Sequence, residues 1–311
     1  MALLPAEPPG EQAADHYDGE AYRRLPDGVW RFIEAPSVQF RILLGAFCAG
    51  LPPAHVRVLP RSIGALGTRE GTVALCLIVL GGRGDSGGGY WLGVDNTAAT
   101  FNGTAGREHR QTLGGRTSGK IDQAHLDYEV EGAGQFGSVG RGNIAAWMLT
   151  TVLGYTLPIP HWSPRVYLAF DYASGDKGPG GGVGTFNPLY PNGHSYLGYI
   201  DYIGRQNIIS ANGGLITTPV RDLTLSLQQY FFWRASDRDA LYNKSAAVLR
   251  PGNGTTARYV GAEVDLLATY NFTRHLQSYA GYSHFFTGEF IRKTGPSRDG
   301  DFLYCAVQYT F

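Results

Sequence analysis

The sequence has little charge, and its charges balance. Charged residues make up 17% of the 311 residues, with 26 basic and 26 acidic side chains, whereas about 25% is usual for soluble domains. The balance gives no reason to expect a nucleic acid partner. The longest apolar run, Val73 to Leu80, falls well short of the roughly 18 residues of a membrane helix. An ordinary soluble enzyme and a helical membrane protein are therefore both poor descriptions of this chain.

Cysteine and metal-binding patterns are also scarce. The three cysteines, Cys48, Cys76 and Cys305, share no metal-ligand spacing, and an odd number is not a disulfide framework. The histidines show no paired spacing of the kind that binds zinc. We therefore expect no enzymatic activity, no metal and no cofactor.

Glycine and aromatic residues are abundant, and they accompany a period of two. The 44 glycines and the 13% of aromatic residues suit many strands joined by tight turns. In one segment Leu223, Leu225 and Leu227 alternate with Thr224 and Ser226. Alternation of this kind recurs in segments of about ten residues from residue 88 onward. The pattern predicts an all-β chain.

About ten strands are predicted, all of them after residue 88. They cover residues 90–96, 108–117, 124–133, 144–155, 165–173, 207–217, 222–234, 258–272, 275–286 and 301–311. Residues 1–88 show neither sustained alternation nor helical spacing. We therefore predict an irregular segment over 1–88, as if from a false start or a shifted reading frame, and a barrel domain over 89–311.

The connections between the later strands alternate in length. Residues 174–205, 235–257 and 287–300 form long loops, and residues 155–164, 218–221 and 273–275 form shorter turns. Outer-membrane barrels have short turns at one end and long loops at the other, whereas a β-sandwich has no reason to keep this parity. The fold predicted is an antiparallel transmembrane β-barrel, partial in this chain. We expect the Gly-rich loop that follows Phe170 to fold over the pore mouth.

The two ends of the chain bear on where it resides. Phe311 is terminal, and Tyr309, Val307, Cys305 and Leu303 precede it at every second position. This ending resembles the recognition signal of bacterial outer-membrane proteins. Outer-membrane lipid and, through Phe311, the barrel-assembly machinery are thus the expected partners. The first residues have no basic region followed by an apolar one, so no signal peptide is predicted and we expect the true start to be missing.

Five strings are similar, in order along residues 90–311, to the alginate export family. They are FNGTAGREHRQTLGGR, FDYASGDKGPGGGVGTFNPLYPNG, YFFWRASDRDALY, ARYVGAEVDL and YSHFFTGEFIRKTGPSRDGDF. The family consists of outer-membrane barrels that pass an anionic polysaccharide. The resemblance implies a porin-like channel in the bacterial outer membrane, for export or diffusion of an anionic polysaccharide or a small polar solute. It also implies a barrel of about 18 strands.

Arginine and acidic residues lie on the polar faces of the predicted strands. A channel for a polyuronate needs cations that pair with carboxylates, and nearby acidic groups would hold the arginines and keep binding reversible. The candidates are Arg110, Arg116, Asp127, Glu129, Asp171, Arg234, Glu263 and Asp265. The pleat directs the three arginines to the concave side of the sheet. The alternative is a ladder of cross-strand ion pairs that only supports the wall.

Two other functions remain open. One is a secreted β-sandwich that binds carbohydrate through surface aromatic residues. The other is a truncated barrel without function. Retention with outer membranes and a heat-dependent gel shift in detergent would distinguish a barrel from a sandwich.

Overall fold

A single large antiparallel sheet dominates the structure. The computed structural model describes residues 85–310, apart from 190–193, 195 and 253, with side chains from Gly87 onward, and the backbone alone of four segments nearer the N-terminus. Sixteen strands and one short α-helix are present in these parts of the chain. Twelve of the strands belong to the large sheet, and two short hairpins account for the others.

The elements are numbered in chain order. The N-terminal segments are β1 (Tyr22–Arg24), β2 (Trp30–Phe32), β3 (Arg57–Val58) and β4 (Gly71–Gly81). The main strands are β5 (Asp85–Phe101), β6 (Thr104–Ile121), β7 (Leu126–Val139), β8 (Gly142–Thr156), β9 (Arg165–Ala173), β10 (Ile208–Val220), β11 (Leu223–Arg234), β14 (Tyr259–Asn271), β15 (Leu276–Thr287) and β16 (Gly300–Tyr309). The others are β12 (Leu241–Tyr242), β13 (Val248–Arg250) and α1 (Glu289–Thr294).

Strands of the sheet follow one another in nearly sequential order. Each strand from β3 to β11 pairs with the next, and β11 then pairs with β14 because the β12–β13 hairpin lies in the intervening loop. Over the described residues the outer strands are β3 and β16. The predicted all-β, antiparallel, partial barrel is thus confirmed.

The ten predicted strands are all present, and β9 has the predicted bounds. The hairpins β5–β6 and β7–β8 extend further than predicted and turn at residues 102–103 and 140–141. The missed segment of β7 is rich in glycine, which hides the alternation. At Gly137, with φ +131°, a Cβ atom would lie 1.9 Å from the carbonyl oxygen of His109. The glycine therefore permits a close approach of two strands that a side chain would prevent.

The sheet also extends further toward the N-terminus than predicted. Strand β4 pairs with β5 along its whole length, from Gly71 opposite Asn96 to Gly81 opposite Ser86. The sequence predicted an irregular segment here because Val73 to Leu80 is apolar at every position, so no period of two is visible. Apart from β1, β2, β3 and β4, the rest of residues 1–84 lies outside the described residues, and the domain boundary at residue 88 stays a prediction.

The two ends of the sheet differ, and each is named here for its connections. The long-loop end carries the β9–β10 loop (residues 174–207), the β11–β14 loop (235–258) and the β15–β16 loop (288–299). The short-turn end carries residues 122–125, 157–164, 221–222 and 272–275. The predicted alternation of loop lengths is confirmed from β8 onward, whereas the β5–β6 and β7–β8 hairpins place tight turns at the long-loop end.

Polarity across the sheet is opposite to that of a soluble β protein. On the outward face Leu168 is 74% exposed and Leu303 is 82% exposed, whereas the inward-facing Asp171 is only 3% exposed. A buried apolar cluster exists as well, where the long loops and α1 pack on the concave face. Its larger members are Phe186, Leu197, Ile203, Phe232, Phe285 and Phe290. Apolar side chains therefore cover the outside of the sheet, and polar side chains share the inside with the loops.

Candidate solute-contacting wall

All eight predicted residues lie on the concave face, called here the inner wall. On each strand they alternate with exposed apolar residues, such as Leu113 on β6, Phe136 on β7 and Phe231 on β11. The pleat therefore gave the correct direction for Arg110, Arg116 and Arg234. The surroundings of these residues nevertheless differ between the two ends of the sheet. Residues near the long-loop end are enclosed, whereas those near the short-turn end are more exposed.

Arg110 is enclosed near the long-loop end. It is 0% exposed and Glu108 is 1% exposed. The guanidinium Nε donates to Glu108 Oε1 at 2.6 Å, and Nη1 donates to Gln135 Oε1 at 2.7 Å. Gln135 in turn donates to the backbone oxygen of Asn187 at 2.6 Å. Arg110 thus connects strands β6 and β7 to the β9–β10 loop.

Arg234 organises the β11–β14 loop from within. The side chain is 0% exposed, and its guanidinium lies 3.9 Å from the centre of the Phe290 ring. It donates hydrogen bonds to five backbone oxygens, those of Asp237, Asp239, Gly252, Thr255 and Ala257. Every acceptor is a backbone carbonyl of the loop, so the guanidinium of Arg234 forms its hydrogen bonds with the protein itself.

The C-terminal part of the β9–β10 loop lies against the inner wall, and closure of the pore mouth by its Gly-rich part stays a prediction. Arg205 donates to both carboxylate oxygens of Asp171, at 3.1 Å and 2.6 Å. Further along, Glu263 Oε1 accepts the backbone N–H of Ile200 at 2.9 Å, and Asp265 Oδ2 accepts that of Tyr199 at 3.1 Å. The acidic candidates of this end therefore hold the loop in place.

The two longest loops are joined to each other at Asp239. One of its carboxylate oxygens accepts the backbone N–H of Asp176 at 2.8 Å and the hydroxyl of Thr185 at 2.6 Å. The other accepts the hydroxyl of Tyr242 at 2.8 Å. Burial raises the pKa of Asp176, and the nearby charge of Asp239 adds to this. The loops therefore form one connected layer inside the sheet.

The short-turn end is more open. Arg116 is 49% exposed, and its Nη2 lies 2.7 Å from Oε2 of Glu129, which is 27% exposed. Nearby, Arg165 donates to both oxygens of Asp127, at 2.7 Å and 2.6 Å. A cleft of about 690 Å³ is lined by Asp127, Glu129, Arg165 and Lys120, among others. Here the charged groups of the inner wall remain accessible to a solute.

Sequence reasoning missed several inward-facing partners. Arg165 lies on the predicted strand 165–173 with the same parity as Asp171, so the pleat alone would have identified it. Tyr90, whose hydroxyl lies 2.8 Å from Glu131 Oε1, would also follow from parity. Gln135 has the same parity as Asp127 on β7, but it lies beyond the predicted end of that strand. Arg205 became relevant only through the packing of a loop, for which the sequence has no periodic signal.

The described residues offer no arrangement typical of a hydrolase or of a metalloenzyme. The string GDSGG at residues 84–88 has the spacing of a nucleophile elbow, but that motif requires a strand-to-helix turn. Ser86 instead lies within β5, opposite Ser118. No group of three or more His, Cys, Asp or Glu side chains suited to a metal ion occurs in this part of the chain. Within the same residues, none of the helices is long and apolar enough to cross a membrane.

Comparison with protein families gives a match over most of the sheet. A family model described as alginate export matches residues 84–304, more than two thirds of the chain. No curated protein matches the chain. The matched range contains β6 to β15 and thus every candidate residue of the inner wall. The chain therefore belongs to the alginate export family.

Proposed function

We propose that the protein is a bacterial outer-membrane channel that passes an anionic polysaccharide or a smaller polar anion along its inner wall. The observation that carries this proposal is the reversed polarity of the sheet, with Leu168 and Leu303 outside and Asp171 inside. Lipid accepts an apolar outer face, and a closed barrel of strands is one of the two structures that cross a bilayer. Conduction needs no chemical step, which agrees with a transport family.

Solute contact is assigned to the short-turn end. Arg116 and Arg165 are partly exposed, and each is paired with a carboxylate that a passing uronate can replace. Arginine suits this exchange because its planar fork accepts a second carboxylate in the same geometry. Competition from Glu129 and Asp127 keeps the binding weak, as conduction requires. Arg110 and Arg234 are assigned the supporting role, because both are fully buried and bonded to the protein.

The last strand is assigned to contact with the barrel-assembly machinery. Leu303, Val307 and Tyr309 are 82%, 73% and 60% exposed on one face of β16. Phe311 continues the same parity but lies outside the described residues. Replacing Phe311 with Ala should reduce the amount of protein that reaches the outer membrane in cells, whereas refolding of the purified chain in detergent should be unchanged.

The membrane assignment is tested by placing a charge on the outer face. Leu168→Arg should abolish insertion into vesicles, since Arg on the lipid face costs about 2–4 kcal/mol near the midplane. The matched control is Ile159→Arg, because Ile159 is 46% exposed but lies on the β8–β9 turn. A secreted β-sandwich would tolerate both changes, so equal behaviour of the two variants in flotation assays contradicts a membrane protein.

Channel activity is tested by recordings from planar bilayers that contain the full chain. Current that is blocked by polyuronate added from one side, and not by a neutral polysaccharide of similar length, is the expected result. Absence of any current from inserted protein would favour a truncated barrel without function. Binding of carbohydrate by protein that stays in solution would favour the secreted binding protein.

A further inference from the structure

Four buried oxygen atoms beneath the β9–β10 loop have no hydrogen-bond partner outside their own group. They are Glu263 Oε2, Asp265 Oδ1, Ser283 Oγ and the Tyr304 hydroxyl. Asp265 and Ser283 are directly opposite each other on β14 and β15, and Ser283 is itself 0% exposed. The Tyr304 ring lies over Gly281, where a Cβ atom would be 2.2 Å from its hydroxyl. Three adjacent strands thus direct oxygen atoms to one place.

The other oxygen atoms of the two carboxylates hold the loop. Glu263 Oε1 and Asp265 Oδ2 accept the N–H groups of Ile200 and Tyr199. At Gly198, with φ +91°, a Cβ atom would lie 2.4 Å from Glu263 Cδ, so the absence of a side chain makes room for the carboxylate. Tyr199 stacks on Tyr304 with ring centres 4.4 Å apart. The four oxygen atoms named above are therefore enclosed by strands on one side and by the loop on the other.

Glu263 and Asp265 have no ion-pair partner of their own, since the basic side chain whose charge acts on Asp265 is His194, which lies 3.2 Å from Asp201. Glu263 and Asp265 are 0% and 1% exposed. Elsewhere on the inner wall Glu108 pairs with Arg110, and Asp171 pairs with Arg205. Within the residues that the structure describes, no Lys, Arg or His forms an ion pair with Glu263 or Asp265. A buried carboxylate is normally paired or bound to a metal ion, because the desolvation of an isolated charge is too costly.

We propose that Glu263, Asp265, Ser283 and Tyr304 bind a hard divalent cation, of the calcium type, beneath the β9–β10 loop. Calcium binds carboxylate, hydroxyl and carbonyl oxygens in irregular arrangements, with water completing the coordination. Two carboxylates neutralise its charge, and the hydroxyls are neutral donors of electron pairs. The ion fixes the orientation of both carboxylates, and through them the N–H groups of the loop.

Terbium is a direct probe of this site, since a tyrosine that contacts or lies near the ion transfers excitation to it. The full chain, folded in a non-ionic detergent, should give terbium emission on excitation of tyrosine, and added calcium should remove that emission. The double variant Glu263→Gln with Asp265→Asn should lose at least about tenfold in terbium affinity, which corresponds to about 1.4 kcal/mol. Its amide oxygens still accept the two loop N–H groups, so the loop retains its hydrogen bonds.

The matched control is Glu108→Gln, which changes a buried carboxylate of the same wall that already has Arg110 of its own strand as its partner. Emission should persist in this control. Should the double variant fail to fold, the single change Ser283→Ala should still lower terbium affinity several-fold. Emission that is absent from the wild-type chain, or that is unchanged in the double variant and in Ser283→Ala, overturns the proposal.

A shared proton is the competing occupant of the carboxylate pair. It predicts no terbium emission, no effect of calcium on the unfolding temperature and a loss of stability as the pH rises, and that set of results also overturns the proposal. The site does not depend on the proposed function. A chain that binds terbium but conducts no current leaves the cation site standing, and a conducting chain that binds no terbium leaves the channel standing.

Discussion

Arginines on the inner wall behave differently at the two ends of the sheet. Arg110 and Arg116 are on the same strand and face the same way, yet Arg110 is 0% exposed whereas Arg116 is 49% exposed. The long loops cover the first and leave the second accessible. The period of two therefore reports the direction of a side chain, but loop packing decides whether that side chain is enclosed or remains accessible.

The largest effect is expected from Arg234→Ala at the long-loop end. The change removes the donor of six hydrogen bonds to five loop carbonyls, two of which, those of Asp239 and Ala257, belong to buried residues. Loss of a buried charged donor costs on the order of 3–5 kcal/mol. The temperature at which the folded band disappears from a detergent gel should fall markedly, and Arg234→Lys should recover little of it because one ammonium cannot reach all five oxygens. Unchanged stability of both variants would remove the supporting role of Arg234.

The next largest effect is expected from Arg205→Ala. This change leaves Asp171, which is 3% exposed, without its cation, at a cost of about 3 kcal/mol. Asp171→Asn in the same chain removes the uncompensated charge and should restore most of the stability. Urea unfolding of the single and double variants measures the coupling. Additive losses would show that the pair does not hold the β9–β10 loop.

A smaller change in stability, with a clear change in function, is expected from Arg116→Ala at the short-turn end. The pair with Glu129 is half exposed, so its loss should cost less than about 1 kcal/mol. Block of the channel by polyuronate should weaken by up to about fivefold, the equivalent of the same free energy. The control is Arg107→Ala, since Arg107 pairs with Asp95 at 3.0 Å on the outward face. Equal block in the two variants would contradict solute contact at Arg116.

The smallest effect concerns pH and the β15–β16 loop. The backbone N–H and the hydroxyl of Thr287 donate to Asp299 and hold its pKa below the ordinary value of 3.8. A lowered pKa means that the folded state favours the carboxylate, so the contact is complete above about pH 4 and is lost as the pH falls through the lowered pKa. The amide resonance of Thr287 should shift over that range in the wild-type chain and not in Asp299→Asn. A shift of equal size in both chains would exclude Asp299 as its source.

The sequence was sufficient for the strands and for the direction of their side chains. The bounds of β9 were predicted correctly because Val166, Leu168 and Phe170 occur at every second position between the charged residues Arg165 and Asp171. The extension of β7 was missed because glycines have no side chain to show a face. Strand β4 was missed for the opposite reason, since both of its faces are apolar.

The surroundings of the candidate residues were beyond prediction for a different reason. Asp171 and Arg205 are separated by a loop, and Glu263 meets Ile200 across a distance of 63 positions in the chain. Contacts of this kind follow from the path of an irregular loop. A loop has no repeated pattern in the sequence. The sequence therefore could not show which inward-facing strand residues the loop buries and which it leaves accessible.

The way in which Arg234 holds its loop has a consequence for sequence variation. All of its acceptors are backbone oxygens, and a carbonyl is the same in every residue. Substitutions that keep the path of the backbone should therefore be accepted at the exposed positions of residues 235–258. The exceptions are Asp239, whose carboxylate joins the two loops, the buried Leu241 and Tyr242, and Gly252, where a Cβ atom would lie 2.2 Å from the Asp239 carbonyl oxygen. Relatives can thus differ in the exposed side chains of this loop while an arginine at this position supports the same backbone path.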